Sequence, residues 1–206
     1  MGRPRRHDRG TARSLLDAAE RIVEADGVEG LTVRRVAEAG GATTRAVYTV
    51  FGSKEGLVVA LGRRAFELLR DELEALPTTG DPAADLVDAG VLVWRRFVLD
   101  HPALFALAVQ RAIPDAGLAS EFRPAAAEAM AGLVHRVERL ELGDRSPRDA
   151  TRAFHALCEG LAAIELRGLL PQGEEERAWR DALGALVGGL SPPRSRARRG
   201  EARSAP

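Results

Sequence analysis

The sequence has little cysteine, little lysine and no long apolar run. Cys158 is the only cysteine among 206 residues, which excludes an internal disulfide framework and any metal site built from several thiolates. No stretch approaches the roughly 20 uninterrupted apolar residues that span a bilayer, and the basic N-terminus lacks the apolar run of a signal peptide. We therefore expect a soluble, cytoplasmic protein with no membrane partner.

The period-two alternation of apolar and polar residues that is typical of half-buried strands is also missing. Apolar residues instead recur at helical spacing, and 45% of all residues are apolar, which is enough to form a core. The sequence therefore predicts an all-α fold. Its predicted helices are residues 11–26, three helices capped by Thr32, Thr43 and Ser53, and further helices at 83–100, after Pro102, and at 122–142, 147–169 and 174–190.

The net charge is zero, but the charges are unevenly distributed. Residues 1–64 carry 12 basic and 8 acidic side chains, residues 65–190 carry 13 and 21, and residues 191–206 carry 5 and 1. A basic head on an acidic body is the asymmetry expected when one part of a protein meets phosphate groups and the other does not. Charge alone leaves open the alternative of two solvated basic tails.

Residues 31–57, LTVRRVAEAGGATTRAVYTVFGSKEGL, have the pattern of a helix-turn-helix. Gly40 and Gly41 permit a tight turn before the helix that Thr43 caps. That helix has an outward polar side and an inward apolar side, a division that suits a recognition helix packed on its neighbours and open to a DNA groove. The residues predicted to face inward are Ala46, Val47, Val50 and Phe51.

Together with the helix at 11–26, this stretch resembles the N-terminal module of TetR-type transcriptional regulators, in which a helix-turn-helix is followed by Tyr-x-x-Phe and Ser-Lys-Glu. The resemblance implies that Arg45 reads bases, that Tyr48 contacts the DNA backbone and that Lys54 binds a phosphate at a helix N-terminus. For Arg34 and Arg35 a solvated surface is the alternative. The predicted DNA-binding residues are Arg34, Arg35, Thr43, Thr44, Arg45, Tyr48, Thr49 and Lys54.

Several positions depart from the family pattern, among them Thr49 and Val50, which replace a frequent histidine-type pair after the tyrosine. Arg45 stands where the family often has a small residue, and an arginine that binds guanine O6 and N7 contributes about 1–3 kcal/mol of discrimination. We therefore expect an operator sequence particular to this chain. Gly56 replaces a common acidic residue, which removes a capping box from the fourth helix.

The body resembles the effector-binding and dimerisation half of the same family. Residues 94–109 and 153–166 resemble a subgroup with a Trp…His-Gly signature, although His155 and Glu159 stand where that signature has Trp and His. The resemblance implies a small-molecule effector, and we expect no metal or cofactor. Ordinary core packing is the alternative for each large side chain. The candidate pocket residues are Trp94, Phe97, Phe105, Phe122, Met130, Phe154, His155 and Cys158.

Small residues recur in the last two helices, which in this family pair across two subunits as a four-helix bundle. The resemblance therefore implies a homodimer whose recognition helices enter successive major grooves, about 34–36 Å apart, on a near-palindromic operator. The predicted domains are a flexible basic arm (1–10), a DNA-binding domain (11–57), an effector-binding and dimerisation domain (58–190) and a disordered basic tail (191–206).

The leading hypothesis is a repressor that a small, largely apolar ligand releases from double-stranded DNA. An activator or a ligand-blind regulator on the same scaffold is the alternative. A distant alternative is a helical enzyme using His155 and Glu159, but the sequence has no nucleophile motif, phosphate loop or paired metal ligands. Cys158 has no basic neighbour that would favour a redox role.

Overall fold

The computed structural model describes residues 6–111 and 116–190, with the backbone alone at positions 6–9, 110, 111, 116, 118 and 119. Within these ranges the chain forms helices and no strand, so the predicted all-α fold is confirmed. None of the described helices is long and apolar enough to cross a membrane. The α-helices are α1 (Arg6–Asp26), α2 (Val33–Ala39), α3 (Thr44–Phe51), α4 (Lys54–Ala75), α5 (Pro82–Asp88), α6 (Arg96–Asp100), α7 (Pro102–Phe105), α8 (Ala116–Glu138), α9 (Pro147–Glu165) and α10 (Glu175–Leu190).

The three helix caps predicted in the head are confirmed. The side chains of Thr32 and Thr43 each accept a hydrogen bond from the backbone N–H three residues later at 3.2 Å, and that of Ser53 does so at 3.0 Å. Gly41 in the turn has a φ of 64°, which only glycine adopts without strain. Because the first N–H groups of a helix have no partner inside it, these caps define where α2, α3 and α4 begin.

All four helices of the head supply fully buried residues to its core. Leu15 of α1, Val36 of α2, Val47 of α3 and Leu57 of α4 are inaccessible to solvent. Of the four residues predicted to face inward in α3, Val47 is therefore central, and the other three are partly buried: Ala46, Val50 and Phe51.

Helix α4 belongs to both halves of the molecule. It contacts α1 and α3 in the head and packs along α8 in the body. Gly62 marks the closest approach, because a Cβ at this position would lie 2.3 Å from the ring of Phe122 in α8. At 1.5 Å per residue its 22 residues extend about 33 Å, so one rigid rod joins the two halves.

A second connection between head and body uses charged groups of α1. The carboxylate of Glu24 accepts hydrogen bonds from the backbone N–H groups of Ala103 and Leu104, both at 3.0 Å, and so caps α7. Glu20 accepts a hydrogen bond from Arg64 of α4 at 2.6 Å. The head is therefore held to the body through both α1 and α4.

The central helix predicted at 83–100 differs from the observed structure. The chain is helical there, but a π-helical segment, Ala89–Arg95, separates α5 from α6. The wider turn brings Gly90 against α9 and α10, where a Cβ would lie 2.4 Å from Leu183 and 3.1 Å from Phe154. A second π-helical segment, Ala106–Arg111, follows α7. Apolar periodicity alone does not distinguish these wider turns from an ordinary α-helix.

Two helices begin earlier than predicted. Helix α1 begins at Arg6 and runs through a glycine, Gly10, and α8 begins at Ala116 and contains a proline, Pro124. Their helix propensities are about 1 and 3 kcal/mol poorer than that of alanine, and tertiary packing outweighs such costs. Residues 1–5 of the predicted arm and the predicted tail at 191–206 lie outside the described residues.

The C-terminal end of α4 is closed by an arginine from α8. Arg136 is 5% exposed, and its Nη2 donates hydrogen bonds to the carbonyl oxygens of Leu73 at 2.7 Å and Leu76 at 2.6 Å. Because the last carbonyl groups of a helix have no partner inside it, the guanidinium satisfies two of them. Arg136 therefore fixes the position of α4 on α8.

A buried carboxylate lies next to this junction. Asp85 accepts hydrogen bonds from the hydroxyl of Thr79 at 2.7 Å, from the Thr79 backbone N–H and from Arg139 at 2.7 Å. The Thr79 hydroxyl is the main cause that lowers the pKa of Asp85 from 3.8 to about 2, with the backbone N–H and Arg139 acting in the same direction. The ionised carboxylate thereby holds the α4–α5 loop against α8.

Replacing Gly62 with alanine tests the close approach of α4 and α8. Gly62→Ala is expected to lower the free energy of unfolding by about 1–3 kcal/mol, because the new methyl group overlaps the ring of Phe122. Urea unfolding measures the loss, and the added substitution Phe122→Leu should recover part of it. The matched control is Gly132→Ala in α8, whose Cβ would meet only the flexible end of Leu73 at 3.2 Å. Equal losses for the two alanine variants would contradict the close approach.

Replacing Asp85 with asparagine tests the buried carboxylate. Because the folded-state pKa lies below the usual 3.8, the contribution of Asp85 to stability is present above that value and is lost as the pH falls toward 2. Asp85→Asn should therefore be less stable than the wild type at neutral pH, and the difference should shrink between pH 4 and pH 2. Thermal unfolding over this range measures it. The exposed Asp144→Asn is the control and should show no difference at either pH.

Candidate nucleic-acid interface and ligand cavity

The outward face of α3 is polar and uncovered. Thr44 and Arg45 are exposed, and Tyr48 is 54% exposed, which is unusual for so large a side chain. The guanidinium of Arg45 has no hydrogen-bond or ion-pair partner among the residues that the structure describes. These side chains stand at the N-terminal end of a helix whose opposite face is anchored by Val47, so the backbone holds them in a fixed orientation.

The two other threonines of this helix have part of their hydrogen-bonding capacity in use. The Thr43 oxygen accepts from the backbone N–H of Ala46, which leaves its hydroxyl proton free to donate outward. The Thr49 hydroxyl donates to the carbonyl oxygen of Arg45 at 2.9 Å, which leaves it able only to accept. Thr43 therefore suits a phosphate oxygen, and Thr49 suits a donor such as a base amino group.

Lys54 begins α4, directly after the cap Ser53. Its side chain is partly buried and has no carboxylate within ion-pairing distance among the described residues. A helix N-terminus presents free N–H groups and a partial positive charge, and a lysine there adds a full charge. The arrangement fits an anion such as a DNA phosphate.

The two arginines of α2 differ from one another. Arg35 donates to the carbonyl oxygen of Gly30 at 2.9 Å and forms an ion pair with Asp26, so it ties α2 to the end of α1. Arg34 forms an exposed pair with Glu38 at 2.9 Å, which raises the pKa of Arg34 through the hydrogen bond to that carboxylate. Exposed pairs of this spacing are weak, so Arg34 is the freer of the two.

The body contains a small, partly open cavity of about 40 Å³. It lies between α4, the first π-helical segment, α8 and α9. The cavity brings together four of the eight predicted pocket residues, namely Trp94, Met130, Phe154 and His155. The other four lie elsewhere in the core, all less than 3% exposed: Phe97, Phe105, Phe122 and Cys158.

The remaining wall residues are apolar and were not singled out from the sequence. They are Phe66, Leu69, Leu73, Ala89, Val93, Ala126, Ala129 and Leu133. In a sequence such residues look like any other core positions. Only the assembled structure shows that α4 supplies one side of the cavity.

The polar groups at the cavity are Trp94 and His155. Their rings meet edge to face with centroids 4.7 Å apart, and the indole Nε1 of Trp94 is buried without a hydrogen-bond partner. Burial lowers the pKa of His155, and the carboxylate of Glu159, 3.2 Å from its Nε2, partly opposes this. The imidazole is therefore neutral near pH 7.

Neither a metal site nor a reactive thiol is evident in the described part of the chain. It contains no group of three or more His, Cys, Asp or Glu side chains that could hold a metal ion. Cys158 is fully buried, and this burial raises the pKa of its thiol above the usual value of 9.0. The thiol is therefore protonated and shielded.

The outer faces of α9 and α10 are lined with small residues. A Cβ added at Gly160, Gly184, Gly188 or Gly189 would meet nothing within 4 Å. Leu166 and Leu169, close to the end of α9, are 42% and 65% exposed. These faces are smooth and partly apolar, so another helix can approach them closely.

Two family models match the chain. Residues 15–61 match "Bacterial regulatory proteins, tetR family", and residues 92–186 match "Tetracyclin repressor-like, C-terminal domain". The first match includes the beginning of α4 and the second includes most of the body. No curated protein shows a significant sequence match to the chain.

Solved structures share the fold. A protein with unknown function from Rhodococcus sp. RHA1 is 25% identical over 88% of this chain and 96% of that one, with a TM-score of 0.78. The TetR family transcriptional regulator PfmR from Thermus thermophilus is 20% identical over 86% and 99%, with a TM-score of 0.61. The fatty acid degradation regulator FadR from Bacillus halodurans is 15% identical over 87% and 96%, with a TM-score of 0.70.

The burial of Cys158 predicts that its thiol reacts only when the protein opens. A thiol reagent added to the native protein should modify it slowly, at a rate that rises with denaturant, because the thiolate is the reactive form and the site is closed to solvent. Ala127→Cys in a Cys158→Ala background places a thiol on an exposed surface and should react rapidly. Similar rates for both proteins would show that Cys158 is accessible.

Proposed function

Because the chain belongs to the TetR family of bacterial transcriptional regulators, we propose that it represses transcription as a homodimer that binds a near-palindromic operator and leaves it when a small molecule enters the body. The observation that carries this proposal is the exposed polar face of α3. Arg45 has no partner in the described part of the chain, whereas Arg35 on the neighbouring helix is engaged in the fold. An unengaged guanidinium in a fixed orientation is suited to a base edge.

The surroundings of α3 support contacts with the DNA backbone. Tyr48 and Thr43 present hydroxyl groups beside Arg45, and Lys54 begins α4 beyond the end of α3. Phosphate contacts of this kind fix the register of a recognition helix in the major groove, and base contacts then supply the specificity. We assign Arg45 and Thr44 to base reading and Thr43, Tyr48 and Lys54 to the backbone. Thr49 serves as an acceptor, and Arg34 is a peripheral phosphate contact.

The outer faces of α9 and α10 support the dimer. Open positions at Gly160, Gly184 and Gly188 allow the same helices of a second copy to approach closely. A two-fold axis through this face makes the interface self-complementary and presents two α3 helices to the same side of DNA. The operator should then contain two inverted half-sites one helical turn apart.

The volume of the cavity supports release by movement of α4. At about 40 Å³ it is far smaller than the roughly 300–1,000 Å³ of pockets for drug-sized ligands, so a ligand must displace part of the wall. Phe66, Leu69 and Leu73 place α4 in that wall. Because α4 also packs on α3, its displacement changes the spacing of the two recognition helices. A ligand that binds the displaced state better shifts the population away from DNA.

The same small volume favours a second candidate, a regulator that binds DNA and responds to no ligand. An activator with the same DNA contacts is compatible with α3 as well. Membership in a family of regulators identifies the chain as a DNA-binding protein and not as an enzyme that uses His155 and Glu159.

Selection of binding sites from random DNA tests the proposal. The expected result is an inverted repeat. Arg45→Ala should relax the preference at one base pair of each half-site, with a loss of about 1–3 kcal/mol of discrimination. Lys54→Ala should weaken binding to all sequences alike and reduce the slope of log affinity against log salt by about 1 per half-site.

Arg96→Ala on the exposed surface of the body is the charge-matched control and should bind the operator as the wild type does. Failure to enrich any inverted repeat would count against the DNA-binding dimer. An Arg45→Ala protein that keeps the full base preference would remove Arg45 from base reading.

A further inference from the structure

The unpaired indole of Trp94 specifies what the cavity can bind. A buried indole N–H normally has an acceptor, because leaving such a donor unmatched costs free energy. The Nε1 of Trp94 is buried with no partner, whereas that of the other tryptophan, Trp179, donates to Glu165 at 2.7 Å. Of the two indole N–H groups in this chain, that of Trp179 is hydrogen-bonded and that of Trp94 is unpaired.

The local backbone places the side chain of Trp94 in the cavity wall. Ala89, Val93 and Trp94 all line it, at spacings of four and five residues within the first π-helical segment. The wider turn of a π-helix sets such residues on one face, and π-helical segments occur frequently at functional sites. A straight α-helix would turn the third of these residues away from the first.

Water is a poor partner for this donor. A buried water needs about two to four polar neighbours. In the described part of the chain, His155 is the one other polar side chain in the wall, and the rest of the wall is apolar. An acceptor attached to an apolar molecule satisfies the indole and fills the remaining space with carbon atoms.

The charges near the cavity disfavour an anion. No lysine or arginine lines it among the described residues. Arg148 and Arg152 line an adjoining groove that shares Met130 and His155 with the cavity, but both are exposed to solvent there. His155 is neutral because burial lowers its pKa, and Glu159 lies beside it with Oε1 3.2 Å from Nε2. A carboxylate ligand would thus be buried without a counter-ion and close to another negative charge, which is costly.

We infer that the cavity binds a neutral, apolar molecule with a carbonyl-type oxygen that accepts a hydrogen bond from Trp94 Nε1. The inference rests on the effector part of the proposed function and adds the chemical class of the ligand. The hydrocarbon body lies against Phe66, Met130 and Phe154, and the oxygen points to the π-helical segment. The wall must widen around it, and the flexible side chain of Met130 helps it to do so.

Indole NMR of the full-length protein tests the inference, because the chain has two tryptophans and hence two indole N–H signals. Before any addition, the Trp94 proton should lie upfield of the Trp179 proton, which is hydrogen-bonded to a carboxylate. Trp94→Phe removes one signal and so assigns both. Adding acetophenone should move the Trp94 signal downfield and leave that of Trp179 in place.

Matched probes separate the hydrogen bond from apolar contact. Acetophenone should bind the wild type about tenfold more tightly than it binds Trp94→Phe, the loss expected for one buried hydrogen bond. α-Methylstyrene, which has nearly the same planar shape with a CH₂ group in place of the oxygen, should bind both proteins alike, and benzoate should bind neither. The pair 2-octanone and octane repeats the comparison with a flexible chain.

Three outcomes would overturn the inference: equal binding of ketone and hydrocarbon by the wild type, tightest binding of benzoate, or no response to any probe. If Trp94→Phe fails to fold, the downfield shift of the Trp94 indole proton in the wild type still shows whether acetophenone accepts its hydrogen bond. Binding of the selected operator, measured on the same preparation without probes, shows separately whether the proposed DNA-binding function stands. A protein that binds operator and ignores every probe contradicts the ligand class alone.

Discussion

The packing of α4 against α8 is the constraint on which the rest of the structure depends. One helix supplies Leu57 to the core of the head and Leu69 and Leu73 to the wall of the cavity. Its C-terminal end is held by Arg136, and its middle is held where Gly62 meets Phe122. Because helices do not stretch, a change at the cavity that displaces α4 also moves what packs on the first turns of this helix.

The head is attached to the body at a second point, and this limits how it can move. Glu24 of α1 caps α7, so α1 is tied to the body at a point outside both α4 and the cavity wall. Two attachments on one rigid head favour a rotation about the α1 contact over a free translation. In the proposed two-fold dimer, such a rotation of both heads changes the spacing of the two α3 helices, which a pair of fixed half-sites resists.

Local chemistry explains why the head was predictable from the sequence. Helix caps and glycine turns depend on a few neighbouring residues, so they can be predicted from a short stretch of sequence. The examples in the head are the caps at Thr32, Thr43 and Ser53 and the positive φ of Gly41. The exposed face of α3 follows from the same short stretch, because helical periodicity decides which side chains share a face. The all-α fold class followed from periodicity along the whole chain.

The body was less predictable because its special features depend on residues far apart in sequence. The π-helical turn at Gly90 packs against Leu183 in α10. The residues next to Gly90 in the sequence do not predict that contact. The aromatic residues chosen as pocket candidates include Phe97 and Phe105, which are ordinary core, while Phe66 of α4 lines the cavity. The sequence identifies the large side chains, but the packing of the helices determines which of them line the cavity. The unpaired N–H of Trp94 is likewise a property of its surroundings.

The distance between the two heads of the proposed dimer tests the coupling through α4 most directly. Spin labels at Ala39→Cys, an exposed position in α2, report this distance in a Cys158→Ala background. Ala129→Phe fills the cavity from α8 with a side chain of the protein itself, and Ala127→Phe adds the same bulk to the exposed side of that helix. The account predicts that Ala129→Phe shifts or broadens the distance distribution and that Ala127→Phe leaves it as in the wild type. A folded Ala129→Phe dimer with the wild-type distribution would contradict it.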